Sequence, residues 1–297
     1  MAKKIALLAG GISKERDISL ESGKAVFNAL KELNYSVELI DPKNSDLNSL
    51  NNFDSVFICL HGENGEDGKI QSFLDLMDIP YTGSRSNSSM IAMDKLLTKL
   101  IWEKLGFITP KFKIVNSTTQ FDELLSSLGA PFIIKPAKSG SSLGVSIVNS
   151  QDDLVKAYRD AIDFDSTILA EEFIRGRELT VSILGEKALE VVEIRTTNSF
   201  YDYNAKYLSD ETTFSKPIDI NEKELKSLKE NAIEAFRALG CSSWGRVDYI
   251  MDNKGKFYLI EVNTIPGMTG HSLFPLAAKY SGMTFNTVVE EIVKLIK

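Results

Sequence analysis

The chain has little of what many kinds of site require. Its 297 residues include only two cysteines and two histidines. Cys59 and Cys241 lie among apolar or small neighbours, far apart, with no metal-ligand spacing and no basis for a disulfide framework. His61 and His271 each sit beside a glycine-rich turn, where either alone can serve as a satisfied structural residue. Basic clusters are absent too. With a net charge of −7, this argues against nucleic-acid and polybasic membrane surfaces as partners. The apolar run at residues 5–9 is too short for a signal segment or a membrane span, so a cytoplasmic protein is expected. Walker-type spacing is lacking: the nearest string, Gly62 to Lys69, is wrong. Gly10-Gly11 follows a first strand, but the third glycine of a dinucleotide fingerprint is missing. No internal repeat or low-complexity tract is seen.

What remains is ordinary for a globular chain. Apolar residues make up 43% and charged residues 25%, enough for a sizeable core. The length allows about two or three domains. Residues 4–9, 36–40 and 55–60 read as strands, with a helix over 18–33 between the first two. That β-α-β order predicts a parallel sheet covered by helices. We place this first unit at residues 1–89, with the Ser/Asn-rich stretch 84–89 as a linker.

A second unit, 90–174, opens on a helix whose apolar stripe is Leu96, Leu97, Leu100, Ile101 and Leu105, closed by Gly106. Strands near 112–115, 132–135, 144–148 and 167–170 alternate with helices at 120–128 and 151–162. The third unit, 175–297, begins with strands at 178–184 and 188–194. Residues 196–217 form a long polar and aromatic connection, a length that is usually functional. A helix then starts at Asn221 as N-cap with Glu224 three residues on. Its stripe is Leu225, Leu228, Ala232, Phe236 and Leu239. A final helix covers 284–296.

The chemistry concentrates at residues 246–272. Two short strands flank the turn 252–255. Positions two apart on a strand share a face, so Glu261 and Asn263 aim oxygen ligands at one point, and Asp248 can add a third. An all-oxygen set with two carboxylates suits a hard cation such as Mg²⁺, held by few protein ligands plus phosphates. Arg246 shares the face of Asp248. With the backbone N–H of Gly267 it resembles an oxyanion site.

Lys135 ends an apolar run and needs an anionic partner. The small residues Ser139 to Gly144 follow, including Ser141 and Ser142, whose backbone can approach phosphate oxygens closely. Lys95 starts a helix, where anions are favoured. Taken alone, such a lysine is more often a surface residue. Glu15 precedes another helix; its alternative reading is a carboxylate favoured by the helix dipole. Glu171, Phe173, Ile174 and Glu178 lie at a strand-to-turn transition. They are read either as solvated charges or as an adenine and ribose site.

Together these pieces resemble the ATP-grasp superfamily and, within it, the D-alanine–D-alanine ligase family. The segments that carry the resemblance are GGISKERDISLESG (10–23), LHGENGEDG (60–68), MDK (93–95), IIKPAKSGSSLGV (133–145), YDYNAKY (201–207), GRVDY (245–249) and EVNTIPGMTGHS (261–272). The likeness covers essentially the whole chain.

It implies an α/β protein, α+β in its ATP-binding part, with a Rossmann-like N-terminal domain. The implied reaction joins two D-alanines with ATP through an acyl phosphate, for peptidoglycan precursors. By likeness, two Mg²⁺ or Mn²⁺ ions would be held by Asp248, Glu261 and Asn263, and the phosphates by Lys95, Lys135 and Ser142. Adenine would lie against Phe173 and Ile260, bonded by Glu171 and the Ile174 backbone, with Glu178 on the ribose. Glu15 and His61 would serve the first D-alanine; Lys206, Ser272 and Leu273 would serve the second. Glu15, Ser141 and Tyr207 would form one network, and Arg246 with Gly267 would meet the oxyanion. Tyr207, where a phenylalanine accompanies D-lactate use in this family, implies a dipeptide product. A homodimer is expected. The alternatives are a related carboxylate–amine ligase of other selectivity and, more remotely, an NAD-dependent dehydrogenase.

Overall fold

A computed structural model describes residues 3–196 and 212–296. The first unit contains strands β1 (Lys4–Leu8), β2 (Ser36–Ile40) and β3 (Ser55–Ile58), all parallel in the order β2-β1-β3. Helix α1 (Arg16–Glu32) joins β1 to β2, and its buried Ser22, Val26, Ala29 and Leu30 face the sheet. Every residue from Ile5 to Ala9 is fully buried, as a central parallel strand covered on both faces requires.

Two short helices follow, α2 (Lys69–Leu76) and α3 (Ser86–Met93). The second corrects the expected linker. Ser88 and Ser89 are buried in a helix, and Ser88 donates its hydroxyl proton to the Gly240 carbonyl at 2.7 Å. Small hydroxyl residues read as loop formers by composition, yet here tertiary bonds satisfy their polar groups.

Helix α4 (Lys95–Lys104) is capped by Asp94, whose carboxylate accepts from the Leu96 and Leu97 amides. Its leucine stripe does not face the core. Leu97, Leu100 and Leu105 are exposed, whereas Thr98, Lys99 and Trp102 are buried. The four-stranded antiparallel sheet comes next, made of β4 (Phe112–Val115), β5 (Phe132–Pro136), β6 (Ser146–Val148) and β7 (Ile168–Glu172). Its order is β4-β7-β5-β6. Helices α5 (Phe121–Leu128) and α6 (Gln151–Ile162) give it a separate core.

The last sheet has β8 (Gly176–Leu184), β9 (Lys187–Ala188), β10 (Val192–Arg195), β11 (Thr213–Ser215), β12 (Trp244–Asp252) and β13 (Phe257–Asn263). It is antiparallel, in the order β11-β10-β8-β12-β13, with β9 on β8. Helix α7 (Glu222–Ala238) packs on it through Leu228, Ala232, Ala235 and Phe236. Asn221 caps α7, accepting from the Glu224 amide at 2.9 Å. Asn221→Ala should lower the unfolding free energy by about 1 kcal/mol, seen as an earlier urea midpoint with an unchanged slope.

Helices α8 (Leu273–Tyr280) and α9 (Phe285–Lys294) return to the first unit. Phe274, Val288 and Ile292 share one core with Leu7, Leu30 and Phe57. Trp244 joins that core, 6.3 Å from the Phe57 ring and edge-on to Phe274 at 5.1 Å. Among the described residues no helix is long and apolar enough to cross a membrane.

Candidate active site

A cleft of about 610 Å³ opens where the three sheets' units meet. Its walls include Glu15, His61, Lys95, Ser141, Arg246, Glu261, Asn263, Gly267, Ser272 and Leu273, drawn from segments spread along the whole chain. Ten of the residues singled out in the sequence therefore share one cavity. Lys206 and Tyr207, with most of the 196–217 connection, lie outside the described residues.

The carboxylates are placed by strand register. Asp248 stands directly opposite Glu261, and Arg246 opposite Asn263. A β-bulge interrupts the pairing beyond that point: Asp248 pairs with Glu261, but Tyr249 pairs with Leu259, leaving Ile260 as the extra residue. The bulge re-phases the strand. Leu259 and Val262 are both core residues although three positions apart, and Glu261 and Asn263 are turned to the cleft. Bulges serve this purpose beside active sites.

Arg246 grips Asp248 with two bonds of 2.8 Å, Nε to Oδ1 and Nη2 to Oδ2. The buried Thr180 donates its hydroxyl proton to Asp248 Oδ1 at 2.6 Å. Lys95 Nζ lies 3.3 Å from Glu261 and donates to the Ser139 carbonyl at 2.8 Å. No group of three His, Cys, Asp or Glu side chains suited to a metal occurs among the described residues. The donor set here is two facing carboxylates and an amide oxygen, which fits a hard divalent cation completed by substrate phosphates.

Glu15 occupies a narrow slot. Ser141 donates its hydroxyl proton to Glu15 Oε1. A Cβ on Gly62 would come within 2.6 Å of the same carboxylate, and one on Gly140 within 3.2 Å. Gly62 also has φ of +67°, a conformation that suits glycine. Ser141 and Ser142 adopt positive φ as well, 52° and 57°. The loop backbone is thus strained where it meets the first unit, as functional loops often are.

His61 is buried, and burial pushes its pKa down to about 4, so the ring is neutral near pH 7. Close by stands Glu66, which sequence reasoning missed although it lies within the 60–68 segment. Burial, with Glu15 and Glu261 adding repulsion, pushes its carboxyl up to about 8, against the Gly62 amide and Arg246. Its Oε2 accepts from the Gly62 N–H at 2.7 Å.

The residues assigned to adenine lie outside that cavity's wall. Lys135 is buried and donates to Glu171 Oε1 at 2.8 Å, so its anionic partner in this structure is Glu171. Lys99, also missed, reaches Glu171 Oε2 at 2.6 Å from the other side. Burial raises the Glu171 carboxyl pKa, but the two lysines outweigh it and the net shift is downward. Burial pushes Lys99 down to about 8. Trp102, one turn on, was the available signal for the buried face of α4.

Lys99 donates to the Thr109 hydroxyl at 2.6 Å, and Thr109 donates to the Leu259 carbonyl at 2.8 Å. Ile108 accepts from the Leu259 amide. The segment ahead of β4, in the first antiparallel sheet, is therefore tied to β13 in the second, and Lys99 links it to Glu171 on β7. Phe173 is half-buried with Arg175 stacked on it at 5.8 Å, while Ile174 and Glu178 are half-buried.

Two antiparallel sheets stitched in this way, beside a parallel α/β unit and a cleft of lysines and carboxylates, define an ATP-grasp architecture. The chain belongs to the D-alanine–D-alanine ligase family: residues 101–294 match the model of the D-ala D-ala ligase C-terminus, and 40–84 that of the N-terminus. It is 42% identical over 292 residues to the D-alanine–D-alanine ligase of Dechloromonas aromatica, covering 98% of this chain and 97% of that one. To the Nitrosomonas europaea enzyme it is 44% identical over 294 residues, covering 98% and 96%. The crystal structure of the Bacillus anthracis ligase superposes with a TM-score of 0.88 at 34% identity, covering 99% and 97%. The VanG D-Ala:D-Ser ligase of Enterococcus faecalis gives 0.87 at 30%, covering 99% of each chain.

Proposed function

We propose that the protein is an ATP-dependent carboxylate–amine ligase that joins two D-alanines into D-alanyl-D-alanine for cell-wall precursors. The observation that carries this reading is the single cleft uniting Glu15, Ser141, Lys95, Arg246, Glu261 and Ser272. Glu15 holds the ammonium of the first D-alanine, against the buried wall of His61. The carboxylate of that D-alanine attacks the γ-phosphate of ATP, and an acyl phosphate with ADP results. Lys95 and Lys135 neutralise phosphate charge, beside the Ser141–Ser142 backbone. Lys135 must exchange Glu171 for the nucleotide, and Lys99 keeps Glu171 ionised while it does so.

Asp248, Glu261 and Asn263 would hold two Mg²⁺ ions, which supply charge neutralisation at the phosphates. The amine of the second D-alanine then attacks the acyl carbon. Arg246 and the Gly267 N–H face the developing oxyanion, and phosphate leaves. Ser272, the Leu273 backbone and Lys206 receive the second carboxylate. Glu171, Phe173, Ile174, Glu178 and Ile260 form the adenine and ribose site. We read the enzyme as cytoplasmic and homodimeric, with no nucleic-acid or membrane partner. The acidic balance and the exposed leucines of α4 support this.

The kinship to a D-Ala:D-Ser ligase gives a second reading, in which the second substrate differs. ADP release should be measured with D-alanine alone and with D-alanine paired with D-serine, D-lactate and L-amino acids. The expected result is strong stimulation by D-alanine alone. No stimulation by D-alanine would overturn the reading; stimulation only with a second partner would favour the alternative.

A further inference from the structure

Ser22 lies on α1 and is fully buried. Its Oγ accepts the Met268 backbone N–H at 3.0 Å. The same oxygen is 3.2 Å from His61 Nε2. Three elements therefore meet at one hydroxyl: α1, the turn after β3 that carries His61, and the turn after β13 that carries Gly267. Met268 is fully buried and His61 nearly so, so a group that lost its partner there would find no water to replace it.

Proton counting leaves one arrangement. Among the described residues, the Ser22 hydroxyl meets the Met268 N–H and His61 Nε2. An amide N–H can only donate, so the buried Ser22 hydroxyl proton has Nε2 as its acceptor. A neutral imidazole has one N–H, which here sits on Nδ1. The Ser22 hydroxyl gives its single proton to Nε2 and receives the Met268 N–H on a lone pair.

We infer that Ser22 is a positioning residue that fixes the His61 ring in its Nδ1–H form and anchors the Gly267–Met268 peptide, locking the first amino-acid subsite to the oxyanion amide. The next peptide is tied separately: Thr269 N–H donates to Ser272 Oγ at 3.0 Å. One turn thus has two anchors, one on α1 and one at the second carboxylate subsite. The substrates named here rest on the ligase reading; the geometry of the anchor does not.

A small residue at a helix packing point would leave alanine and serine equivalent, and that is what the experiment separates. In ¹⁵N-histidine-labelled protein, His61 should show a pyridine-type Nε2 and a protonated Nδ1. With two histidines in the chain, a His271→Gln sample assigns the spectrum. Ser22→Ala should lower kcat by about tenfold to a hundredfold, the scale of a small misplacement of reacting groups. The KM for ATP and the far-UV circular dichroism should stay as in the parent, and the His61 nitrogen shifts should move. Ser22→Thr, which keeps the hydroxyl, should recover turnover.

A protonated Nε2 in the parent protein overturns the inference, and that spectrum decides even if Ser22→Ala fails to fold. Parent-like turnover in Ser22→Ala overturns it too. A parent protein with no D-alanine-dependent ADP release would instead remove the ligase reading, leaving the tautomer measurement as the test of Ser22.

Discussion

Glu261→Gln is expected to lower D-alanine-dependent ADP release by about a hundredfold to a thousandfold, the scale lost when one preorganised electrostatic group is removed. Glu261 stands opposite Asp248 in the β12–β13 register and 3.3 Å from Lys95 Nζ. Glutamine keeps the shape and one acceptor oxygen but not the charge that a divalent cation and a lysine both need. The side chain lines the cleft rather than the core, so the fold should persist, with unchanged circular dichroism and cooperative unfolding. Mn²⁺ binding in the presence of ATP, followed by electron paramagnetic resonance, should weaken in parallel. Parent-like turnover with Mg²⁺ would remove Glu261 from the cation site.

Arg246→Ala should lower kcat by about a hundredfold or more. The guanidinium holds Asp248 with two parallel bonds; on the proposed mechanism it also faces the oxyanion, so its loss would remove a transition-state donor and release a proposed metal-site carboxylate. Arg246→Lys separates the two effects. Lysine keeps the positive charge but cannot reproduce the planar fork. If the fork matters, the lysine variant should remain well below the parent. Recovery by lysine would make charge alone sufficient. Loss appearing only in the KM for D-alanine, with kcat intact, would mean that Arg246 binds ground state and transition state equally.

Local chemistry was legible in the sequence where it depends on a short repeat. The Asn221 cap and the α7 stripe are as the 3.6-residue period requires. Register could not be read so simply. Parity placed Glu261 and Asn263 on one face, but the Ile260 bulge was invisible, and across it the alternation fails. An extra residue leaves no compositional mark. On α4 the leucine stripe misled because the buried face is set by a lysine with a buried partner. A lysine counts as solvent-facing in any pattern until Glu171, 72 residues later, is known to meet it. Glu66 was overlooked for a similar reason: the groups that act on its buried carboxyl, Glu15, Arg246 and Glu261, are far from it in sequence. The substrate could not come from periodicity at all; it came from ordered motifs and from kinship.

The core shared by the first and last segments has a consequence for synthesis. The ribosome delivers the parallel sheet first, but Trp244, Phe274 and Val288, which complete its interior, are made much later. Domains ordinarily fold as they leave the ribosome; here the earliest one must wait for the latest helices. The cleft, whose walls include residues from both, cannot assemble until those helices are made. A nascent polypeptide that already carries Glu15 and Lys95 therefore has no assembled cleft around them.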